Sequence, residues 1–226
     1  MTRAQTSRRR SSAPPATKPA NRSRVIIPLV TAATVLFLLI AVFVSKSNES
    51  DNPATKAGVL ETRPVTVTGK PLADLPESGT DPAIGQPAPE LSGAAFDGSP
   101  VSIKADGKPK VLLFLNHSCS HCQKEVPVLQ RRIDAGLPAD VAVYSVSTGT
   151  RKDRPNYPPS AWLARERWTL PVLADDEASA AATAFGLSGT PFYVVIDANG
   201  VVVQRLAGAI GVERFDALLA AARQTR

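Results

Sequence analysis

The chain has 226 residues, with 26 Lys and Arg against 20 Asp and Glu, a net charge of +6. That length holds one domain of ordinary size plus extensions. The surplus charge is confined to residues 1–24, where Arg3, Arg8, Arg9, Arg10, Lys18, Arg22 and Arg24 stand without an acid. A basic tail on a nearly neutral body excludes a nucleic-acid-binding face.

The rest of that tail is Ser, Thr, Pro and Ala, as in Ser11-Ser12-Ala13-Pro14-Pro15. It cannot bury a core and is expected to be disordered. Residues 25–44 (VIIPLVTAATVLFLLIAVFV) carry no charge. A helix of that length spans roughly 30 Å, the thickness of a bilayer's hydrocarbon core. Pro28 falls in its first turn, where the missing N–H costs little. A cleaved signal peptide is the rival reading. The run is long for one, and Ser45-Lys46-Ser47-Asn48 offers no small-x-small cleavage site. The expectation is a retained single-pass anchor. The preceding positive charge keeps the N-terminus cytoplasmic and places the C-terminal part outside the membrane. Residues 45–80, polar and rich in Pro and Gly, read as a flexible linker, with Val65-Thr66-Val67 as a short strand.

Residues 81–226 read as the folded domain. Gly85-Gln86-Pro87-Ala88-Pro89 is an extended lead-in, followed by a turn at Asp97-Gly98 and a strand near Val101-Ser102-Ile103. Val111–Leu115 is an uninterrupted apolar run, expected to be a strand covered on both faces. From Cys119 a helix follows, with Cys122, Val126, Leu129 and Ile133 on one face, Pro127 inside it and Gly136 at its end. Val141–Ser147 is a second buried strand. Thr148–Pro159 is a loop, and Ser160 is the expected N-cap of a short helix from Ala161 to Arg167 that carries Trp162, with Trp168 after it. Leu170–Leu173 is a strand and Ala178–Phe185 an Ala-rich helix. Phe192–Ile196 and Val201–Leu206 form a hairpin around Asp197-Ala198-Asn199-Gly200. Val212, Phe215, Leu218, Leu219 and Ala222 line one face of a closing helix. Alternating strands and helices, then a hairpin and a final helix, predict an α/β fold: a three-layer α/β/α sandwich with a mixed sheet.

The chemistry concentrates at Cys119-Ser120-His121-Cys122, which holds both cysteines of the chain. Disulfide exchange needs a thiolate that a partner can reach and a second thiol to resolve the mixed disulfide. With Cys119 as the first helical residue, unpaired N–H groups and the helix dipole lower its pKa. Cys122, one turn on and on the apolar face, is the expected resolving thiol. His121, if protonated, adds a positive charge beside Cys119 and favours an oxidising site. A purely structural disulfide is a weaker reading, because so short a loop constrains the unfolded chain little. A zinc or copper site from His117, Cys119, His121 and Cys122 is the third reading.

These residues resemble a known family. A strand, C-x-x-C and helix, with Glu125-Val126-Pro127 after the second Cys and Gly189-Thr190-Pro191 ahead of a strand, is similar to the thioredoxin superfamily. Gly85-Gln86-Pro87-Ala88-Pro89, the anchor and the long segment from Cys122 to Pro191 resemble the membrane-anchored, extracytoplasmic TlpA/ResA-type thiol–disulfide oxidoreductases, which overlap with the redoxin group. The resemblance covers roughly residues 82–223. It implies a thioredoxin-like fold, attack by Cys119, resolution by Cys122, and a cis Pro191 facing the pair, with Thr190 offering backbone hydrogen bonds to an extended substrate. Three features depart from the family. Ser118 stands where a Trp is usual, so any aromatic wall falls to Trp162 or Trp168, unless both are core. The first strand, Val111–Leu115, lacks the buried carboxylate; Glu125 is a stand-in or a solvated helix charge. His117 reads as a solvated loop residue or a second base.

The expected function is therefore disulfide exchange with protein thiols at the membrane, needing no cofactor or resident metal, with a membrane electron donor or acceptor as partner. The resemblance favours the reductase direction and His121 the oxidase direction. A thiol peroxidase is an alternative that Asn116 opposes, since a Thr or Ser is expected three residues before a peroxidatic Cys. A non-enzymatic copper carrier is another; such carriers of this fold usually have C-x-x-x-C and a distant His.

Overall fold

In the computed structural model, residues 58–224 are described. The expected basic tail (1–24), membrane helix (25–44) and first part of the linker lie outside them. No helix among the described residues is long and apolar enough to cross a membrane.

The strand after Lys110 organises the domain. Chain order is β1 (Thr66–Thr68), β2 (Glu90–Ala94), β3 (Pro100–Ile103), β4 (Lys110–Leu115), α1 (Ser120–Asp134), β5 (Ala142–Ser147), α2 (Pro159–Arg165), β6 (Val172–Ala174), α3 (Ala180–Ala184), β7 (Phe192–Ile196), β8 (Val202–Ala207) and α4 (Gly211–Ala222). Strand β4 is buried along its whole length at the centre of a five-stranded sheet ordered β6-β5-β4-β7-β8. It runs parallel to β5 and antiparallel to β7, so the sheet is mixed, as expected. Successive side chains leave a strand on opposite faces, and both faces of β4 are covered. Val111 and Leu113 join Leu129 of α1 and Phe215, Leu218 and Leu219 of α4. Leu112 and Phe114 join Leu91 and Ile103 of a small antiparallel sheet, β1-β2-β3, and Phe185 after α3. A continuous apolar run is what such double cover demands.

The linker expectation needs correction from residue 58 onward. The segment 58–80 is docked on the domain. Strand β1 pairs antiparallel with β2. The Leu60 N–H donates to the Phe96 carbonyl at 2.9 Å and that of Leu72 to the Ala184 carbonyl at 2.9 Å. The Leu72 side chain is buried in the core. Polar composition concealed this because main-chain bonds share the holding with a few scattered apolar side chains, Val65, Val67, Leu72 and Leu75. Helix α2 also departs from expectation. It starts at Pro159, after Pro158, rather than being capped by Ser160. Ser160 sits in the first turn, where its N–H and hydroxyl donate to the Glu61 carboxylate at 2.9 and 2.6 Å. The cap comes from far back in the chain, which local spacing cannot show. The hairpin turn forms as expected: Asp197 Oδ1 accepts the N–H groups of Asn199 and Val201, both at 2.9 Å.

One buried ion pair fastens the N-terminal segment to the far edge strand. Arg205 of β8 donates through Nε to Asp81 Oδ2 at 2.9 Å and through Nη1 to the carbonyls of Ala73 (2.9 Å) and Phe185 (2.7 Å). Burial pushes the Asp81 carboxyl up, but the Arg205 guanidinium and the Ala83 N–H outweigh it and hold it below the ordinary value. Removing one partner of a buried pair typically costs about 3–5 kcal/mol. Arg205→Leu is expected to lose that much in chemical denaturation. Because the Asp81 pKa is depressed on folding, its stabilisation is present above the unfolded value of 3.8 and is lost as pH falls through the folded value. The acid limb of the wild-type stability curve should therefore be shallower in Arg205→Leu.

Candidate active site

Strand β4 ends at Leu115, and Asn116-His117-Ser118 turn the chain into α1. Cys119 is not the first helical residue, as spacing suggested, but the N-cap, with extended backbone (φ −77°, ψ 119°). An N-cap side chain lies where a helix's free N–H groups seek an acceptor. In the thiol form the Cys119 S–H donates to the Thr190 carbonyl at 3.1 Å. Burial pushes the Cys119 thiol up. The N–H groups of Cys122 and His121, the Thr190 hydroxyl and the Cys122 thiol all favour the thiolate, and together they bring Cys119 below an ordinary cysteine.

Cys122 lies in the opposite environment. It is fully buried against Leu115, Val126, Trp162 and Leu163. Burial pushes its thiol up to about 12, with the Cys119 charge adding to the effect. Its Sγ accepts the Asn116 N–H at 3.5 Å. Both sulfurs are free thiols. The Thr190–Pro191 peptide is cis and leads into β7, whose start lies beside the end of its antiparallel neighbour β4, so Thr190 meets Cys119 there.

Several expectations about the neighbours need correction. The His121 side chain is exposed, and its main-chain N–H favours the Cys119 thiolate. His117 is not a solvated loop residue; it is 1% exposed. Its Nε2 accepts the Arg151 N–H at 3.1 Å, which puts the ring proton on Nδ1, and Nδ1 donates to the Pro155 carbonyl at 2.7 Å. Both nitrogens are thus spent on the loop that follows β5. The proposed metal set of His117, Cys119, His121 and Cys122 is not assembled, and among the described residues no three His, Cys, Asp or Glu converge on a metal position. Neither tryptophan forms an exposed wall beside Cys119. Trp162 is buried beneath the cysteines, and Trp168 packs at the same cluster while its Nε1 donates to Ser145 at 2.9 Å.

Glu125 is not a solvated charge either, being 4% exposed. Its Oε1 accepts the Tyr193 hydroxyl at 3.0 Å and the N–H groups of Ile210 and Gly211 at 2.8 and 3.0 Å. It caps α4 from another helix, where Ile210 has no side-chain acceptor to offer. Burial and the Glu125 charge push the Tyr193 phenol far up, and the Cys122 thiolate, when present, adds to this. Tyr193 was invisible as a site neighbour because it reads as one more apolar strand residue. Asn116 was visible only as the residue three before Cys119 that opposes a peroxidatic site.

The arrangement is suited to thiol–disulfide exchange: a half-buried, acidified sulfur at a helix cap beside a buried partner one turn away. In the reduced protein, Cys119 should be alkylated by iodoacetamide at a lower pH than a free cysteine, since a depressed pKa moves thiolate formation downward. Cys122 should stay unmodified through pH 9. Mass mapping of the alkylated cysteine against pH checks both; modification of Cys122 alongside Cys119 would contradict the asymmetry.

The AhpC/TSA family model matches residues 84–205. Among curated proteins, the methylamine utilization protein MauD of Methylobacillus flagellatus is 28% identical over 124 residues, 54% of this chain and 56% of that protein. MauD of Paracoccus denitrificans is 28% identical over 146 residues, 63% of this chain and 67% of that one. Among solved structures, a DsbF homologue from Corynebacterium diphtheriae superposes with a TM-score of 0.55 at 18% identity, covering 68% of this chain and 99% of that one. A thiol:disulfide interchange protein described as a putative DsbE, from Chlorobium tepidum, gives 0.50 at 21%, covering 62% and 96%. At those identities the structures speak for the fold, which is thioredoxin-like. With more than half of its length matched, the chain belongs to the AhpC/TSA family, and its C-x-x-C dithiol is set on a thioredoxin-like fold.

Proposed function

We propose that this protein is a membrane-tethered, extracytoplasmic oxidoreductase that exchanges disulfides with polypeptide substrates through Cys119 and Cys122, in the reducing direction. The observation that carries the exchange reading is the opposed poise of the two sulfurs: Cys119 below an ordinary thiol and half-exposed, Cys122 at about 12 and fully buried. The first can attack while the second waits as a thiol until a mixed disulfide forms. The charge-free run 25–44 behind a basic tail supports the tether and its orientation.

In the reducing direction, the Cys119 thiolate attacks a substrate disulfide. A Cys119–substrate bond forms, the substrate S–S bond breaks and one substrate thiolate leaves. Cys122 then closes on Cys119 and releases the second substrate thiol, and two electrons have passed to the substrate. The resulting Cys119–Cys122 disulfide needs a dithiol donor in or near the membrane to reset it. One feature pulls the other way: a stabilised Cys119 thiolate stabilises the reduced protein and makes its disulfide a stronger oxidant. The exchange reading also fits the site better than a peroxidase does, because Asn116 occupies the position three before Cys119 and the resolving thiol is one turn away in the same helix.

Three measurements test this. Cys122→Ala should accumulate mixed disulfides with polypeptide partners, and Cys119→Ala should not; a Cys122→Ala protein that traps nothing, beside a wild type that exchanges nothing, would sink the reading. The redox potential should fall nearer thioredoxin's, about −270 mV, than the strong oxidant's, about −120 mV; the latter value would reverse the direction. On intact reduced cells, a membrane-impermeant maleimide should label Cys119, and protection until lysis would contradict the orientation.

A further inference from the structure

The turn that carries both cysteines is built on Asn116. Its carbonyl accepts the Cys119 N–H at 3.2 Å, and its own N–H donates to Cys122 Sγ at 3.5 Å. Its side chain holds the turn from two sides. Oδ1 accepts both the N–H and the hydroxyl of Ser118, each at 2.8 Å. Nδ2 donates to the Gly149 carbonyl at 3.1 Å. The fit there is tight. Gly149 has φ +62°, and a Cβ on it would stand 2.5 Å from Asn116 Nδ2. No side chain at 149 leaves room for this contact. The same turn is held at the next residue, where the His117 carbonyl accepts from Gln123 Nε2 at 2.9 Å.

The Asn116 side chain touches neither sulfur. What it fixes is the direction of the Asn116 N–H, the donor seated on Cys122. That matters in one step. Once Cys119 is bonded to substrate, Cys122 must give up its proton. Its thiolate then attacks Cys119 Sγ, forming the Cys119–Cys122 bond and expelling the substrate sulfur as a thiolate that takes up a proton. A sulfur with no exposed surface has no water to stabilise that thiolate, so the charge relies on donors supplied by the chain. The Asn116 N–H is the foremost group that favours it, ahead of the Thr190 hydroxyl, against the burial that opposes it.

We propose that Asn116 is a positioning residue for the resolving step: its clasp on Ser118 and Gly149 holds the main-chain N–H that stabilises the Cys122 thiolate as the mixed disulfide is released. The role rests on the oxidoreductase reading above. It accounts for the departure at Ser118, since a hydroxyl residue there completes the clasp in the place where the resembled family has a Trp.

The test is a single-turnover reaction of the reduced protein with a peptide disulfide, following mixed-disulfide formation and decay separately across pH. In Asn116→Ala, formation should keep the wild-type rate. Decay should slow on the order of tenfold at neutral pH, the effect of misaligning and so weakening a hydrogen bond to a charged group, and its pH profile should move to higher pH. Asn116→Ser is the second variant. Its hydroxyl can still accept the Ser118 N–H in a turn but cannot reach as an amide donor to Gly149, so decay should fall between the two. Wild-type decay and an unshifted profile in both variants overturn the role of Asn116 while leaving the oxidoreductase reading intact. Slowed formation with unchanged decay overturns it too, because the clasp would then serve Cys119. A wild type that forms no mixed disulfide at all overturns the oxidoreductase reading and this role with it.

Discussion

Two sulfurs three residues apart are held in different solvents, and the site depends on that difference. The strand–helix junction creates it. Cys119 caps the helix, so its sulfur faces free N–H groups and keeps some contact with water. Cys122 is one turn in, on the face that packs against Leu115 and Trp162. An ionised thiol in an apolar site loses hydration that nothing nearby replaces in full, whereas a cap position supplies oriented donors. The same helix therefore lowers one thiol and raises the other. Neither effect needs a charged side chain, which is why His121 can point to solvent without disabling the arrangement.

That difference persists only if the junction is rigid, and the domain secures it from several directions. Strand β4 is covered on both faces and buried end to end, which fixes where the turn begins. Glu125 ties α1 to α4 and to Tyr193 of β7, which fixes where the helix points. His117 fastens the turn to the loop after β5 through both ring nitrogens. Trp162 forms the floor under Cys122, and its helix begins with a turn bonded to Glu61 from the N-terminal segment. Residues 58–80 thus contribute to the support of the active-site floor. They are part of the domain rather than a spacer before it.

The sequence made the frame legible because the frame obeys periodic rules. Val111–Leu115, Phe192–Ile196 and the helix from Cys122 to Ile133 each announce their burial by spacing, and the two cysteines name the chemistry. The supporting residues were harder to see for one shared reason: each works across a long separation. His117 bonds residues 34 and 38 positions away, Glu125 bonds partners 68 to 86 away, and Glu61 reaches across 99. Polar side chains with such partners look like solvated ones in a linear reading, since a charged residue is mostly exposed unless paired. The same blindness hid the docking of residues 58–80, whose main-chain bonds and scattered apolar side chains meet partners distant in sequence.

The replacement at Ser118 shows how one fold can reach the same chemical end by other means. A large aromatic before the first cysteine holds its place through packing, with area that water cannot wet. Asn116 and Ser118 hold theirs through directional bonds of 2.8 to 3.1 Å, anchored on Gly149. Packing tolerates small rotations, but a hydrogen bond weakens steeply as its angle departs from linear. A clasp of this kind therefore specifies the orientation of one N–H more sharply than an aromatic plug can. The first thiol is left open to large partners, while the second is held under tight control. Disulfide exchange works on those terms, because a partner must reach one sulfur and must not reach the other.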